Sequence, residues 1–323
     1  MRLATGELVL PSLKQVRVNI PTLAGVIAQV KRSVSEVGQV RDLIEAIASG
    51  NVRVALEVLI DLVTSPHISP EWMLEKAKSS PAPLRLHHAL QAVALRDKVY
   101  YTPSGSRIAN LFAVSTREGR EHFVLPLLIS WIASTSAQAS AGFVATPTIY
   151  STLQSLGFTR RQIAQALDRA LEFSLLETGT REPSPAGLPP LGYRAREVGL
   201  FHVRELVTHF LYVDLVLVDT PILDDTIRSL IQDVKAMDER LDRAERFREY
   251  LDAQWQRLPL DASTIFNWPQ LSQRLASSIS WTRVRYRESM EKHAISGANL
   301  GSDGETGALI RDHATTETEP PRT

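Results

Sequence analysis

Between Pro21 and Val63 the apolar residues recur at helical spacing in three successive runs. Leu23, Val26, Ile27 and Val30 make the first, opened by Pro21 in the initial turn, where a missing amide proton costs nothing. Val40, Leu43, Ile44 and Ile47 make the second, which Gly50 stops. Val54, Leu56, Leu59, Ile60 and Val63 make the third. With a strand expected in LKQVRVNI ahead of them, residues 1–64 read as a small helical bundle.

The pattern then changes. SPEWMLEKAKS and APLRLHHALQAVALRD read as two short helices, and the apolar runs KVYY and IANLFAV flank the turn PSGS. Helices followed by a hairpin suggest a first winged-helix-like unit over 65–120. The order recurs over 121–215, where LLISWIAS and TPTIYSTLQSLG precede FTRRQIAQALDRALEFSLL. The Pro/Gly-rich loop EPSPAGLPPLG and the strand YRAREVGL close this unit. Thr159 is a helix N-cap residue, and Ile163, Ala166, Leu167, Ala170 and Leu171 form the buried stripe behind it.

From Leu223 to Leu258 alternating spacings of four and three mark a heptad seam through Ile227, Leu230, Val234, Met237, Leu241, Ala244, Leu251 and Trp255. Arg248 interrupts it, with Phe247 alongside. The seam predicts a long helix whose partner carries Leu271, Leu275, Ile279, Val284 and Met290, giving a helical hairpin over 216–294. Past Ile295 the composition turns to Gly, Thr, Glu and Pro, so 295–323 reads as a disordered tail. The fold class expected is therefore mainly α: a helical bundle, tandem winged-helix units and a long helical hairpin.

Composition narrows the chemistry. Hydrophobic residues form 44% and charged residues 22% of the 323-residue chain, the balance of a folded protein. Lysine plus arginine and aspartate plus glutamate stand at 36 each, so no global field attracts nucleic acid or an anionic membrane, and any such site is local. The absence of cysteine removes disulfides, thiolate nucleophiles and thiolate-bound zinc, and fits a reducing cytoplasm. No run approaches the roughly 18 apolar residues of a membrane helix.

The sequence offers no catalytic constellation. Gly187 and Gly192 have phosphate-loop spacing, but Tyr193 and Arg194 follow in place of Lys and Ser/Thr, and two prolines between the glycines lack the amide donors a phosphate needs. LYVDLVLVDTP resembles a strand ending in a magnesium-binding aspartate; without a phosphate loop, Asp219 and Thr220 read as turn residues before Pro221. The histidines form no metal-ligand pair, although His202 and His209 lie seven apart. No metal, cofactor or catalytic residue is expected.

Basic residues are more informative. Arg160 and Arg161 stand at the first turn of the helix that would read a DNA groove, Arg169 continues it, and Arg181, Arg194 and Arg196 flank the hairpin. Asp168, Glu172, Glu177, Glu182, Glu197 and Glu205 nearly balance them, so contact with duplex DNA, with protein, or within the chain all remain open.

One stretch carries a resemblance. GNVRVALEVL, residues 50–59, resembles the sensor 2 helix of AAA+ and STAND-type P-loop ATPases, in which the arginine at the position of Arg53 approaches nucleotide from a lid. The succession of this lid, winged helices, FLYVDLVLVDTPILDD and RAERFREYLDAQW is similar to the C-terminal half of large bacterial P-loop ATPases. The resemblance implies a lid-like bundle, a sensor role for Arg53 exercised in trans, and a P-loop ATPase subunit as partner, because the phosphate loop, magnesium aspartate and sensor 1 strand are missing. It implies a truncated or split gene product, or an ATPase half on a separate polypeptide. The expected function is thus a non-catalytic regulatory half with winged helices for DNA or protein contact. The alternative is a stand-alone DNA-binding regulator that dimerises through residues 223–258.

Overall fold

The computed structural model describes residues 20–68, 84–137, 142–179, 190–231 and 234–299. The expected strand LKQVRVNI, the helix SPEWMLEKAKS, Arg181 and most of the loop before Gly192 lie outside these residues. The protein is mainly helical, with a single small sheet among the described residues. It divides into two compact units at Arg107/Ile108.

In the first unit, α1 (Ile20–Glu36), α2 (Gly38–Ala48), α3 (Val52–Thr64) and α4 (Leu86–Leu95) pack on one another. The α2–α3 corner takes three residues. Ser49 turns left-handed at φ 45° and donates its N–H to Glu45 O at 2.8 Å, and Gly50 follows at φ 80°. Asn51 then caps α3, its Oδ1 accepting from the Arg53 and Val54 amides at 3.0 and 3.4 Å. Val40, Leu43, Val58, Leu62, Leu84 and Val93 close the core. Arg96 and Arg107 both pair with Asp61, tying the chain beyond α4 to α3.

The hairpin expected around PSGS is not formed: residues 98–114 contain no strand, and Pro103–Gly105 is a 3-10 turn. The unit boundary falls between the two apolar runs. Consequently the segment 65–120, expected to be one winged-helix-like unit, is divided between two cores.

The second unit opens on Ile108–Ala113, a buried irregular segment held by side chains. Tyr212 Oη donates to Ala109 O at 2.8 Å and accepts from the Leu111 amide at 3.0 Å. Asn110 Nδ2 donates to Thr220 Oγ1 at 2.9 Å and to Val216 O at 3.2 Å, while its Oδ1 accepts from the Phe112 amide. These bonds replace the ladder that a strand partner would supply, as burial of backbone polar groups demands.

Next come α5 (Val124–Ser136), β1 (Val144–Ala145), α6 (Thr146–Ser155), α7 (Arg160–Glu172), β2 (Leu176–Thr178) and β3 (Gly192–Ala195). The sheet is antiparallel in the order β1-β3-β2, with Val144 opposite Tyr193 and Glu177 opposite Arg194. α5 lies almost wholly inside, through Leu125, Leu127, Leu128, Ile129 and Ile132. α8 (Glu197–Arg204) starts directly after β3, so YRAREVGL is a strand only in its first half. There Gly199 is required: a Cβ would stand 2.4 Å from Leu175 O.

LYVDLVLVDTP is helical: α9 (Phe210–Leu217) is buried on all sides, which an apolar run cannot distinguish from a buried strand. Asp219 and Thr220 make the turn after it, with amides bonded to Val216 O and Leu217 O at 3.1 and 3.0 Å. Asp214 on α9 is buried and paired with Arg240 and Arg243.

The heptad stretch is two helices, α10 (Asp225–Leu230) and α11 (Met237–Trp255). α10 packs beside α11, and Arg246 Nη1 donates to Leu230 O at 3.1 Å, capping the end from which a continuous helix would have run on. After the short α12 (Ala262–Ile265), α13 (Trp268–Asn299) packs along α11 as the expected hairpin partner. Met237, Leu241, Ala244, Leu251 and Trp255 are buried, Phe247 fills the core slot, and Arg248 bridges Glu245, Asp252 and Ser272 beside it. From Met237 onward the seam expected for dimerisation is thus occupied within the chain, whereas Leu230 is exposed. Val284 and Met290 are exposed, so pairing with α11 involves only the first half of α13. Residues 295–299 are helical rather than tail, and 300–323 lie outside the described residues.

Phe112, Phe123, Phe247, Trp255, Phe266 and Trp268 form the centre of this half, with edge-to-face contacts at centroid distances of 4.8 to 6.5 Å. No helix among the described residues is long and apolar enough to cross a membrane.

Candidate functional site

The first turn of α7 is fixed by a capping box. Thr159 Oγ1 accepts from the Gln162 amide at 3.3 Å, and Gln162 Oε1 accepts from the Thr159 amide at 2.9 Å. Gln162 is buried, and its Nε2 donates onward to Thr116 Oγ1 at 3.1 Å and Glu121 Oε2 at 3.4 Å. Glu121 is the centre of a clasp: the Ser115 amide donates to Oε1 at 2.8 Å, the Thr116 amide to Oε2 at 2.9 Å, and both hydroxyls join them. Burial pushes this carboxyl up, but the four donors more than offset it and hold it below the ordinary carboxylate value. The segment 113–121 is thereby fastened along one side of α7.

That clasp divides the arginines expected to bind. Arg160 is exposed, its guanidinium 4.9 Å from the Tyr150 ring centroid, and Arg161 is exposed with no ion pair among the described residues. Both project at the open end of α7. Arg169 does not: its Nη1 donates to Ala113 O at 2.7 Å, making it part of the fastening. Arg194 on β3 is exposed but bonds Glu177 across the strand pair at 2.6 Å and lies over Phe143 at 4.8 Å. Arg196 precedes α8, half-buried, with its amide bonded to Leu175 O at 3.0 Å. Farther along α7, Asp168 and Glu172 are the exposed charges.

Two arginines that the sequence reading passed over belong with Arg160 and Arg161. Arg117 is exposed, without an ion pair among the described residues, and directly follows Thr116, which touches Gln162. Arg120 rests against the α6–α7 corner; its Nη1 is 3.0 Å from where a Cβ on Gly157 would stand. Glu118 pairs with Arg120 at 3.2 Å and with Arg257 at 3.6 Å. The sequence signal was the run TREGRE immediately before the buried helix α5.

In the first unit, Arg53 projects from the first turn of α3 with its side chain 88% exposed and, among the described residues, pairs with Glu57, 3.2 Å away. Val52, Leu56 and Ile60, on the same outer side, are exposed by 74%, 56% and 55%. An interior helix face and an outer face are thus both apolar.

The buried histidines serve the scaffold. The Ala109 amide donates to His202 Nε2 at 3.1 Å, which places the ring proton on Nδ1, donated to Val198 O at 2.6 Å. His122 similarly joins Phe112 O through Nδ1 and Tyr250 Oη through Nε2. Burial depresses His122, His202 and His209 to about 4, so all three are neutral at pH 7. No group of three or more metal-binding side chains occurs among the described residues. No family model matches the chain, and no curated protein or solved structure is significantly similar to it.

Proposed function

We propose that the chain is the non-catalytic regulatory and binding half of a P-loop ATPase, working with a nucleotide-binding core supplied by another polypeptide. The observation that carries this reading is α3. A helix that is apolar on both sides is ordinarily buried on both, yet the outer side of this one, with Val52, Leu56 and Ile60, is open. Beside that stripe Arg53 is exposed in the Asn51-capped first turn, and the resemblance of GNVRVALEVL to a sensor 2 helix gives it a sensor role in trans. An apolar stripe bordered by an exposed guanidinium suits a protein surface that carries a phosphate.

The α5–β3 module is read as a winged helix. Its order of helix, strand, two helices and two strands, its antiparallel β1-β3-β2 sheet, and a solvent-facing arginine pair at the start of α7 support that reading. The heptad dimer is not favoured, because its apolar positions from Met237 onward are buried in a unit where α11 packs on α9 and α13.

A photo-crosslinking residue placed at Leu56 in cells tests the reading. It should capture a protein with a complete phosphate loop, and the same chain purified alone should hydrolyse no ATP. Turnover by the purified chain, or capture confined to proteins without a phosphate loop, would sink it.

A further inference from the structure

We infer that the 113–121 segment and the open end of α7 form one surface for the phosphate backbone of duplex DNA, with Arg117 and Arg120 as contact residues beside Arg160 and Arg161. This rests on the winged-helix reading of the α5–β3 module and specifies its partner and mode of contact. Four observations converge.

First, the Thr116–Gln162 bond and the Arg120–Gly157 approach bring two chain segments, some 40 residues apart in sequence, to the same end of α7. Second, the cations there outnumber the acids. Among the described residues Arg117 and Arg161 have no ion pair, Arg160 stacks on an aromatic ring, and Arg120 and Arg257 share the carboxylate of Glu118. In a chain with equal numbers of basic and acidic residues this is a local excess, and close like charges repel unless an anion neutralises them. Third, the positive end of the α7 dipole points the same way. Fourth, the clasp is rigid: Glu121 receives five hydrogen bonds, so the arginines are carried on fixed backbone and lose less freedom on binding.

The same geometry selects phosphates over base edges. Insertion of α7 into a groove would bring Asp168 and Glu172 against the nucleic acid, and Arg169 is already committed to Ala113 O. Only the end of the helix is electropositive. Binding should therefore be strongly salt-dependent and weakly dependent on sequence.

The test is fluorescence anisotropy of the purified full chain with a labelled mixed-sequence duplex across a salt series. Four phosphate contacts predict a slope of log K against log salt of roughly −3 to −4. Arg117→Ala with Arg120→Ala should weaken low-salt binding about tenfold or more and reduce the slope by about 2. Arg117→Lys with Arg120→Lys should retain most of the binding, because a phosphate accepts a point charge. Arg283→Ala, at the far end of α11 where Arg283 pairs with Asp242, should change nothing. Unchanged circular dichroism melts check that the exposed substitutions leave the fold intact.

If Arg160→Ala with Arg161→Ala abolishes binding and the Arg117/Arg120 pair has no effect, the inference fails while the winged-helix reading stands. If the wild-type chain binds no duplex, or binds acidic polypeptide in its place, the nucleic-acid surface is refuted. The Leu56 crosslink is indifferent to either result.

Discussion

α3 and α7 are both thirteen residues long, and both begin at a side-chain cap, yet they are stabilised in opposite ways. α7 has one apolar stripe, Ile163, Ala166, Leu167 and Ala170, and the unit buries it; its polar shoulder is fastened by Gln162, Arg169 and the Glu121 clasp. α3 buries Val58 and Leu62 but leaves an equally apolar outer side in water. One helix is finished within its unit. The other presents apolar area that only contact with something further would remove from water.

The strongest challenge to the α7 side is acid. The segment 108–113 on which it rests is held by His202 and His122, and His209 is half-buried in the same unit. Burial lowers each to about 4 from an ordinary 6.5, while an unfolded chain takes up protons through that whole interval. Stability is therefore complete above pH 6.5 and declines as pH falls towards 4, by up to about 3 kcal/mol per histidine. Thermal melts followed by tryptophan fluorescence, which reports on Trp268 beside Phe112, should show the decline; a midpoint flat across that range refutes it.

Next in size, Ile163→Ala on the covered side of α7 should cost about 2 to 5 kcal/mol in urea unfolding of the second unit. Glu121→Ala removes the clasp and leaves the Ser115 and Thr116 backbone amides without their acceptor. A loss of about 1 to 3 kcal/mol is expected, with faster hydrogen exchange in the first turn of α7. A variant that exchanges like wild type would show the clasp to be ornamental. The smallest effect sharpens the contrast: Leu56→Ala, on the open side of α3, should change stability by no more than about 0.5 kcal/mol. A loss comparable to that of Ile163→Ala would mean the stripe is covered in solution.

The sequence made some of this legible and not the rest, for physical reasons. α2, α3 and α7 follow from apolar spacing, and the Thr159 cap from the residue type best suited to accept a first-turn amide. α9 was ambiguous because a helix buried on all sides loses its period. The PSGS hairpin was misread because turn chemistry is local, whereas Asn110, His202 and Tyr212 act across about a hundred residues to hold the following segment. The seam over 223–258 described burial correctly from Met237 onward, but spacing alone cannot register that α10 folds back beside α11. Of the candidate arginines, the first-turn pair was foreseeable from helix position. Arg117 and Arg120 were not, since their place depends on where Glu121 pins an irregular segment.

The open side of α3 bears on the supply of the molecule as well as its contacts. A folded chain that displays Val52, Leu56 and Ile60 to water resembles, to a chaperone or protease, a protein that has begun to unfold. On the reading proposed above, copies made in excess of the partner that covers that stripe are the ones cleared first. Partner abundance, more than synthesis of this chain, would then set how much of it a cell keeps.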